Sequence, residues 1–204
     1  MRYHIAMISR RRFCIGGALG ALLPATSALA RKVSPDGFDA LHERALKAMD
    51  RHKEIITNRD RIGIVDFSRP SRSPRFHILD LASGERQAML VAHGKGSDPD
   101  HCGWLERFSN VPGSEATSEG AYLAGALYEG KHGRSRRLAG LDASNSNAEA
   151  RAIVIHGAWY VSPSMVRDHG KVGRSQGCLA VSRDDLDGVL TSLPQGSLIY
   201  VDKL

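Results

Sequence analysis

The chain has 204 residues, of which 42% are hydrophobic and 25% are charged, a composition ordinary for a globular protein and sufficient for one domain with a sizeable core. Its formal net charge is +6, but residues 1–30 hold four arginines and no acid, and the remainder carries 24 basic against 22 acidic residues. This near balance of charge argues against the basic surface of a nucleic-acid-binding protein. Beyond the N-terminus the sequence has one short basic run, at residues 134–137.

Residues 1–30 are predicted to be an export signal. A basic stretch at residues 9–13 precedes a mildly apolar one at residues 14–30, which ends in a small-x-small site at Ala28-Leu29-Ala30. We therefore expect cleavage after Ala30 and a periplasmic protein. The Ser-Arg-Arg-Arg-Phe sequence of residues 9–13 resembles a twin-arginine signal, and a general secretory signal rich in arginine is the alternative. The apolar stretch is too short and too interrupted for a stable membrane span.

An amphipathic helix is predicted over residues 35–58, within an N-terminal segment of residues 31–60. Apolar residues recur there at three- and four-residue spacing, with charged residues between them. Ser34 is the expected N-cap and Pro35 the first helical residue. We expect this helix to pack across the domain that follows.

Residues 61–204 are typical of a mainly β domain, and we predict a sandwich or barrel-like pair of sheets. Alternating apolar patterns and turn residues predict strands at residues 62–67, 75–80, 87–92, 123–128, 137–141, 151–155 and 197–201. A short helix is predicted at residues 184–193, with Ser182 as its cap. His77 alternates with apolar neighbours and is predicted to be structural.

A histidine and a cysteine lie at the ends of two apolar runs. The first run ends at His156, and a glycine-flanked loop then presents Cys178 before the second run. The thiolate is the reactive form of cysteine, and a free thiol with a pKa near ~8.5 is mostly protonated at neutral pH. A nearby imidazole can accept that proton and hold an ion pair. An inert buried cysteine and a core histidine are the structural alternative, and the combined pattern favours catalysis.

These residues resemble the signature of the murein L,D-transpeptidases, the YkuD-type catalytic domain. That signature is His-Gly, a loop, then Ser or Thr followed by His-Gly-Cys, usually with Asn two residues after the cysteine. Here His156-Gly157 and the Ser-Gln-Gly-Cys sequence at residues 175–178 occupy these places. Gln176 stands in place of the second histidine and Ala180 in place of the Asn, so the resemblance is to a divergent branch with Ser-x-Gly-Cys.

The resemblance implies an enzyme that acts on peptidoglycan stem peptides without a cofactor or metal. Cys178 would form a thioester with the stem, release D-alanine and pass the acyl group to an amine. His156 would be the base, oriented by the carbonyl of Gly157. Backbone N–H groups of residues Gln176, Gly177 and Cys178 would stabilise the oxyanion, with Gly177 allowing the tight turn.

Substrate contacts are assigned by position to Arg174, Ser175 and Tyr160. Water in place of the amine would make the protein an L,D-carboxypeptidase or endopeptidase, and a catalytically silent wall-binding module is the third alternative. A monomer is expected.

Two other residues compete with these assignments. His169 is nearer to Cys178 in sequence, but it lies in a charged segment, residues 167–171, that we expect to be solvated and mobile. Cys102 could pair with Cys178 in an oxidising compartment, whereas catalysis requires a free thiol. A metal site at His93, His101 and Cys102 is disfavoured because the usual ligand spacings are missing.

Overall fold

Nine strands and three helices make up residues 37–204, the part of the chain that the computed structural model describes. The strands are β1 (Asn58–Asp66), β2 (Phe76–Asp80), β3 (Arg86–Met89), β4 (Val91–Ala92), β5 (Gly120–Gly130), β6 (Gly133–Gly140), β7 (Val154–Gly157), β8 (Leu179–Val181) and β9 (Ser197–Asp202). The helices are α1 (Phe38–Arg51), α2 (Pro163–His169) and α3 (Arg183–Ser192). The expected export signal and the expected cap Ser34 lie outside the described residues.

All nine strands belong to one sheet, in the order β3-β2-β1-β9-β5-β6-β7-β8-β4. The β1–β9 and β7–β8 pairs are parallel, and the other pairs are antiparallel. Strands β3 and β4 stand at opposite ends of this order, yet only Leu90 separates them in the chain. The sheet must therefore curl until its two ends meet. The mainly β prediction is confirmed, and its barrel-like form comes from a single curled sheet.

Helix α1 covers the outer face of this sheet. Its buried stripe of Leu41, Ala45 and Ala48 belongs to the same apolar cluster as Ile62 and Ile64 of β1. The helix begins after Gly37 and ends at Arg51, so it is shorter than predicted. The predicted end fails because the N–H of residue 58 donates to the Gly196 carbonyl at 3.1 Å and so begins a strand.

A second apolar cluster fills the inside of the curled sheet. It draws alternate residues from the strands, among them Val65, Leu138, Ile155 and Leu179. Helix α3 adds Val189 and Leu190, and its N-cap Ser182 accepts a hydrogen bond from the Asp185 N–H as predicted. None of the helices within residues 37–204 has the length and apolar character needed to cross a membrane.

A buried arginine holds the seam where the two ends of the sheet meet. The Arg75 side chain is 0% exposed, and its Nε and Nη2 donate to the Val91 carbonyl at 3.1 and 2.9 Å. Nη1 donates to the Arg69 carbonyl at 2.9 Å. Burial lowers the pKa of Arg75 to about 9, so the group still carries its charge at neutral pH.

The same guanidinium sets the state of His93. Nη2 of Arg75 lies 2.9 Å from Nδ1 of His93, and a guanidinium can only donate, so Nδ1 accepts and Nε2 carries the hydrogen. Nε2 in turn donates to the Asp98 carboxylate at 3.1 Å. Both ring nitrogens of His93 are thus engaged within the core.

Replacing Arg75 by methionine is expected to destabilise the fold strongly. The substitution leaves the buried carbonyls of Arg69 and Val91 without their donor, and losing one member of a buried charged network costs about 3–5 kcal/mol. Urea unfolding of Arg75→Met measures this, with the exposed neighbour Arg72→Met as a control expected within about 0.5 kcal/mol of the wild type. Equal losses of unfolding free energy in the two variants would contradict the assigned role of the seam.

Candidate active site

His156 lies on β7, and Cys178 directly precedes the neighbouring parallel strand β8. In the β7–β8 register His156 lies opposite Ala180 and Ile155 opposite Leu179, which places Cys178 beside Val154. His156 is 2% exposed and Cys178 is partly buried. Both side chains line one cleft of about 400 Å³. The structure thus brings together the two residues that the sequence singled out.

The loop before Cys178 is held by its own hydrogen bonds. The Ser175 N–H donates to the His93 carbonyl at 2.9 Å, and the Lys95 N–H donates to the Ser175 carbonyl at 2.8 Å. The Ser175 hydroxyl donates to the Cys178 carbonyl at 2.7 Å and accepts from the Gly177 N–H at 3.1 Å. Ser175, predicted as a substrate contact, is buried and engaged in these loop contacts.

Both the backbone conformation at Gly177 and the close packing around it require a glycine. Its φ is 110°, and a Cβ there would lie 2.8 Å from the Ala116 carbonyl oxygen and 3.0 Å from the Ile153 side chain. Any other residue would therefore strain the backbone and displace the loop. The Gly177 N–H, one of the three predicted oxyanion donors, is already bound to Ser175.

The tautomer of His156 follows from one hydrogen bond. Nδ1 lies 3.1 Å from the Gly157 carbonyl oxygen, which can only accept, so Nδ1 carries the hydrogen and Nε2 has a free lone pair. The pKa of His156 is lowered to about 4, chiefly by burial; the Gly157 carbonyl acts to raise the pKa, and His132 and Lys131 act with burial to lower it. The imidazole is therefore neutral at physiological pH.

The thiol of Cys178 is also neutral at rest. Burial raises its pKa, while the Val154 backbone, Lys131 and Arg151 act in the opposite direction without overcoming it. The sulfur donates to the Ala152 carbonyl at 3.7 Å. The ion pair expected from the sequence is therefore replaced by a neutral pair, because burial penalises the charged form of both groups. Such a pair suits general-base catalysis, in which the proton moves during attack.

The other predicted site residues have defined partners at the rim. Gln176 is exposed, and its Nε2 donates to the Glu115 carboxylate at 3.1 Å. Arg174 donates to the backbone carbonyls of Asp98 and Pro99, the latter at 2.9 Å. Tyr160 is half-buried in the cleft wall, and burial raises its pKa to about 12.

The two competing residues lie elsewhere. His169 is the last residue of α2 and is exposed, and it does not belong to the residues that line the cleft. The segment expected to be a mobile loop is largely helical, with Ser162 as N-cap, Pro163 in the first turn and Gly170 as C-cap. Cys102 and Cys178 are both free thiols.

Sequence reasoning missed the cleft wall contributed by the β5–β6 hairpin. Tyr128, Lys131 and His132 line the cleft, and none of the three is among the site residues predicted from the sequence. A two-residue turn between Gly130 and Gly133 is a hairpin signal that was available in the sequence. The position of this hairpin next to β7 depends on the order of the strands in the sheet.

We expect the reactivity of Cys178 toward iodoacetamide to keep rising above pH 9. A raised thiol pKa delays formation of the thiolate, whereas a cysteine–histidine ion pair would give a reactivity plateau between about pH 5 and 8. Alkylation rates measured by mass spectrometry in a Cys102→Ser background test this. A plateau in the neutral range would contradict the neutral pair.

Comparison with known proteins places the chain in a family. The family model of the L,D-transpeptidase catalytic domain matches residues 33–201, which include all of the strands and helices described above except the last residue of β9. No curated protein sequence matches the chain.

The chain also matches solved structures at low sequence identity. LdtMt1 in complex with imipenem is 18% identical with a TM-score of 0.42, and the match covers 70% of this chain and 59% of that one. An L,D-transpeptidase from Mycobacterium smegmatis is 16% identical with a TM-score of 0.43, covering 70% and 58%. The helical cell shape determining protein Pgp2 from Campylobacter jejuni is 12% identical with a TM-score of 0.45, covering 83% and 57%.

The chain spans less than two thirds of the length of these solved structures. Family membership rests on the match over residues 33–201, which holds both His156 and Cys178. The chain belongs to the L,D-transpeptidase catalytic-domain family.

Proposed function

We propose that the protein is an exported, cysteine-dependent peptidoglycan L,D-transpeptidase in which Cys178 is the nucleophile and His156 the base. The observation that carries this is the shared cleft, in which a partly buried thiol lines the same cavity as an imidazole whose Nδ1 is bound to the Gly157 carbonyl. This bond leaves Nε2 as the proton acceptor, which is the state a general base requires.

The reaction would proceed in two acyl transfers. Nε2 of His156 takes the thiol proton as the Cys178 sulfur attacks the carbonyl at the L-centre of the stem's diamino acid. The tetrahedral intermediate collapses, the imidazolium returns the proton to the departing amine of D-alanine, and a thioester remains. An amine of a second stem, losing a proton to His156, then attacks the thioester. The products are a cross-linked peptide and the free thiol.

The charge of the cleft supports a substrate rich in carboxylates. Lys131, Arg151 and Arg174 line it, and among its lining residues within 37–204 none carries a carboxylate. Stem peptides contain several carboxylates, so this surface would attract them. Arg174 and Tyr160 are proposed to contact the donor stem, and the backbone N–H groups of Gln176 and Cys178 to stabilise the oxyanion.

Room for two substrates favours transfer to an amine over hydrolysis. His156 borders a second cavity of about 590 Å³, lined by Trp159, Arg183 and Leu186 among others. A transpeptidase must hold an acceptor chain beside the thioester, and a second cavity that also borders His156 provides space for it.

Incubation with a tetrapeptide stem ending in D-alanine tests the proposal. The wild-type protein is expected to release D-alanine and form a cross-linked dimer, both detected by mass spectrometry, and Cys178→Ala is expected to form neither. Tripeptide and D-alanine without dimer would identify a carboxypeptidase, and an unchanged stem would identify a wall-binding module.

The base is tested by two histidine variants. His156→Ala is expected to abolish thioester formation at neutral pH, with partial recovery at high pH as the thiol ionises unaided. His169→Ala is the matched control and should acylate at a near-normal rate, because its ring is exposed on α2. The reverse behaviour of the two histidine variants would overturn the assignment of His156 as the base.

Imipenem should acylate Cys178 and leave Cys102 free.

Export is proposed from residues 1–30, with cleavage after Ala30. Replacing Arg10 and Arg11 by lysine is expected to keep the protein in the cytoplasm if the signal is of the twin-arginine type. Cell fractionation with N-terminal sequencing measures this. Normal periplasmic accumulation of the variant would leave the general secretory route.

A further inference from the structure

We propose that His132 is a positioning residue for His156: it covers the face of the imidazole and fixes the direction in which Nε2 points. The two rings are stacked, with centroids 4.2 Å apart and planes inclined by 19°. The inference rests on the proposed function, because it assigns His132 to the same base.

The fold brings His132 to this place through strand register. In the β6–β7 pair Ser135 lies opposite His156, and the β5–β6 turn lies three residues before Ser135. The turn consists of Lys131 and His132, closed by the pairing of Gly130 with Gly133. Since β6 and β7 are antiparallel, the tip of the hairpin overhangs the end of β7 where His156 stands.

The hairpin tip at residues 129–132 is exposed, and the Tyr128 side chain packs against it. Tyr128 folds back over Gly130, where a Cβ would lie 2.6 Å from its ring. The Arg137 guanidinium lies 4.4 Å from the centroid of the same ring. The Tyr128 ring, held by Arg137, thus supports the turn at Gly130. A two-residue turn supported in this way can hold the His132 ring in one orientation.

Two separate contacts then define the position of the base. The hydrogen bond from Nδ1 to the Gly157 carbonyl fixes one atom of the ring at 3.1 Å. A ring held at one atom can still tilt, and the stacked His132 ring opposes that tilt. His156 lines the cleft that holds Cys178, and in the proposal these two contacts together keep Nε2 in one direction within it. A preset direction of this kind is a large part of what a general base contributes.

His132 occupies a role left open by the family pattern. The signature has a second histidine at the position of Gln176, and here the Gln176 side chain turns to Glu115 at the rim. A second imidazole nevertheless reaches the base, from a hairpin far from the catalytic loop in sequence.

The stack also acts on the charge of the base. Protonation of either ring disfavours protonation of the other, and both His132 and Lys131 lower the pKa of His156. Other titratable or charged groups face the base from the cleft and from the second cavity. They are Cys178, Tyr128, Tyr160, Arg151, Arg174 and Arg183. His132 contacts the His156 ring itself. Removing His132 therefore exposes that face of the imidazole to water and removes a neighbour that repels its positive charge. Both changes raise the pKa of His156.

The experiment compares His132→Ala with His132→Phe in a Cys102→Ser background. The second-order rate of Cys178 acylation by imipenem is measured from pH 4 to 9, and the pKa of His156 is measured by NMR. His132→Ala should acylate about tenfold more slowly at neutral pH, with its acid limb moved to higher pH. His132→Phe keeps an aromatic ring on the base and should recover the neutral-pH rate to within about threefold.

His169→Ala serves as the control, because it removes an exposed histidine outside the cleft. A merely structural role for His132 would lower the melting temperature without moving the acid limb. The proposal is overturned if His132→Ala matches the wild type in both acylation rate and His156 pKa, or if phenylalanine fails to restore the rate in a folded protein. If the wild type is not acylated at Cys178, the proposed function fails, and the NMR pKa alone decides whether His132 acts on His156.

Discussion

The rest of the structure depends on the burial of Arg75 at the seam of the sheet. The chain crosses from one end of the sheet to the other at Leu90, and no ladder of backbone hydrogen bonds joins β3 to β4 within the described residues. The Arg75 guanidinium supplies donors to the Val91 carbonyl instead. A buried charge is costly unless its donors are satisfied, and here backbone carbonyls and His93 satisfy them.

This seam reaches the catalytic loop through a short series of contacts. His93 is held between Arg75 and Asp98, and its own carbonyl accepts the N–H of Ser175. The Ser175 hydroxyl then ties Gly177 to Cys178. The position of the sulfur is thus set by packing at the closing edge of the sheet, so that a loop without regular structure presents its thiol in one place. Rigid support of this kind is what a reactive side chain needs from its surroundings.

The burial that positions the site also determines its chemistry. A solvated imidazole and thiol could share a proton as an ion pair, but both groups lie where charge is poorly solvated, so the neutral forms are favoured. In the proposed reaction the charge develops only when substrate is attacked, and the lysine and arginine side chains around the cleft would favour the negative charge that then forms. A resting site of this type is less reactive toward small electrophiles than an exposed thiolate would be.

Several features could be predicted from the sequence because they are encoded by neighbours in the chain. The strand that carries His156, the glycine turn before Cys178 and the Ser182 cap of α3 all follow from local patterns. Helix α2 has ordinary helix signals in Ser162, Pro163 and Gly170, but the charged residues near its end are equally common in exposed loops and hide the helix from a reading of the sequence. Family membership followed from a few residues for the same reason, as the chemistry requires them at a particular spacing.

The tertiary structure alone decided which distant residues meet. The burial of Arg75, the engagement of Ser175 within its loop and the stacking of His132 on His156 all depend on strand order and register. A single-residue change of register would turn each side chain to the opposite face, and no local pattern specifies which strand lies next to which. The protonation states of His156 and Cys178 belong to the same class. A sequence can name two residues that could exchange a proton, but the free energy of charging them depends on burial by residues far away in the chain.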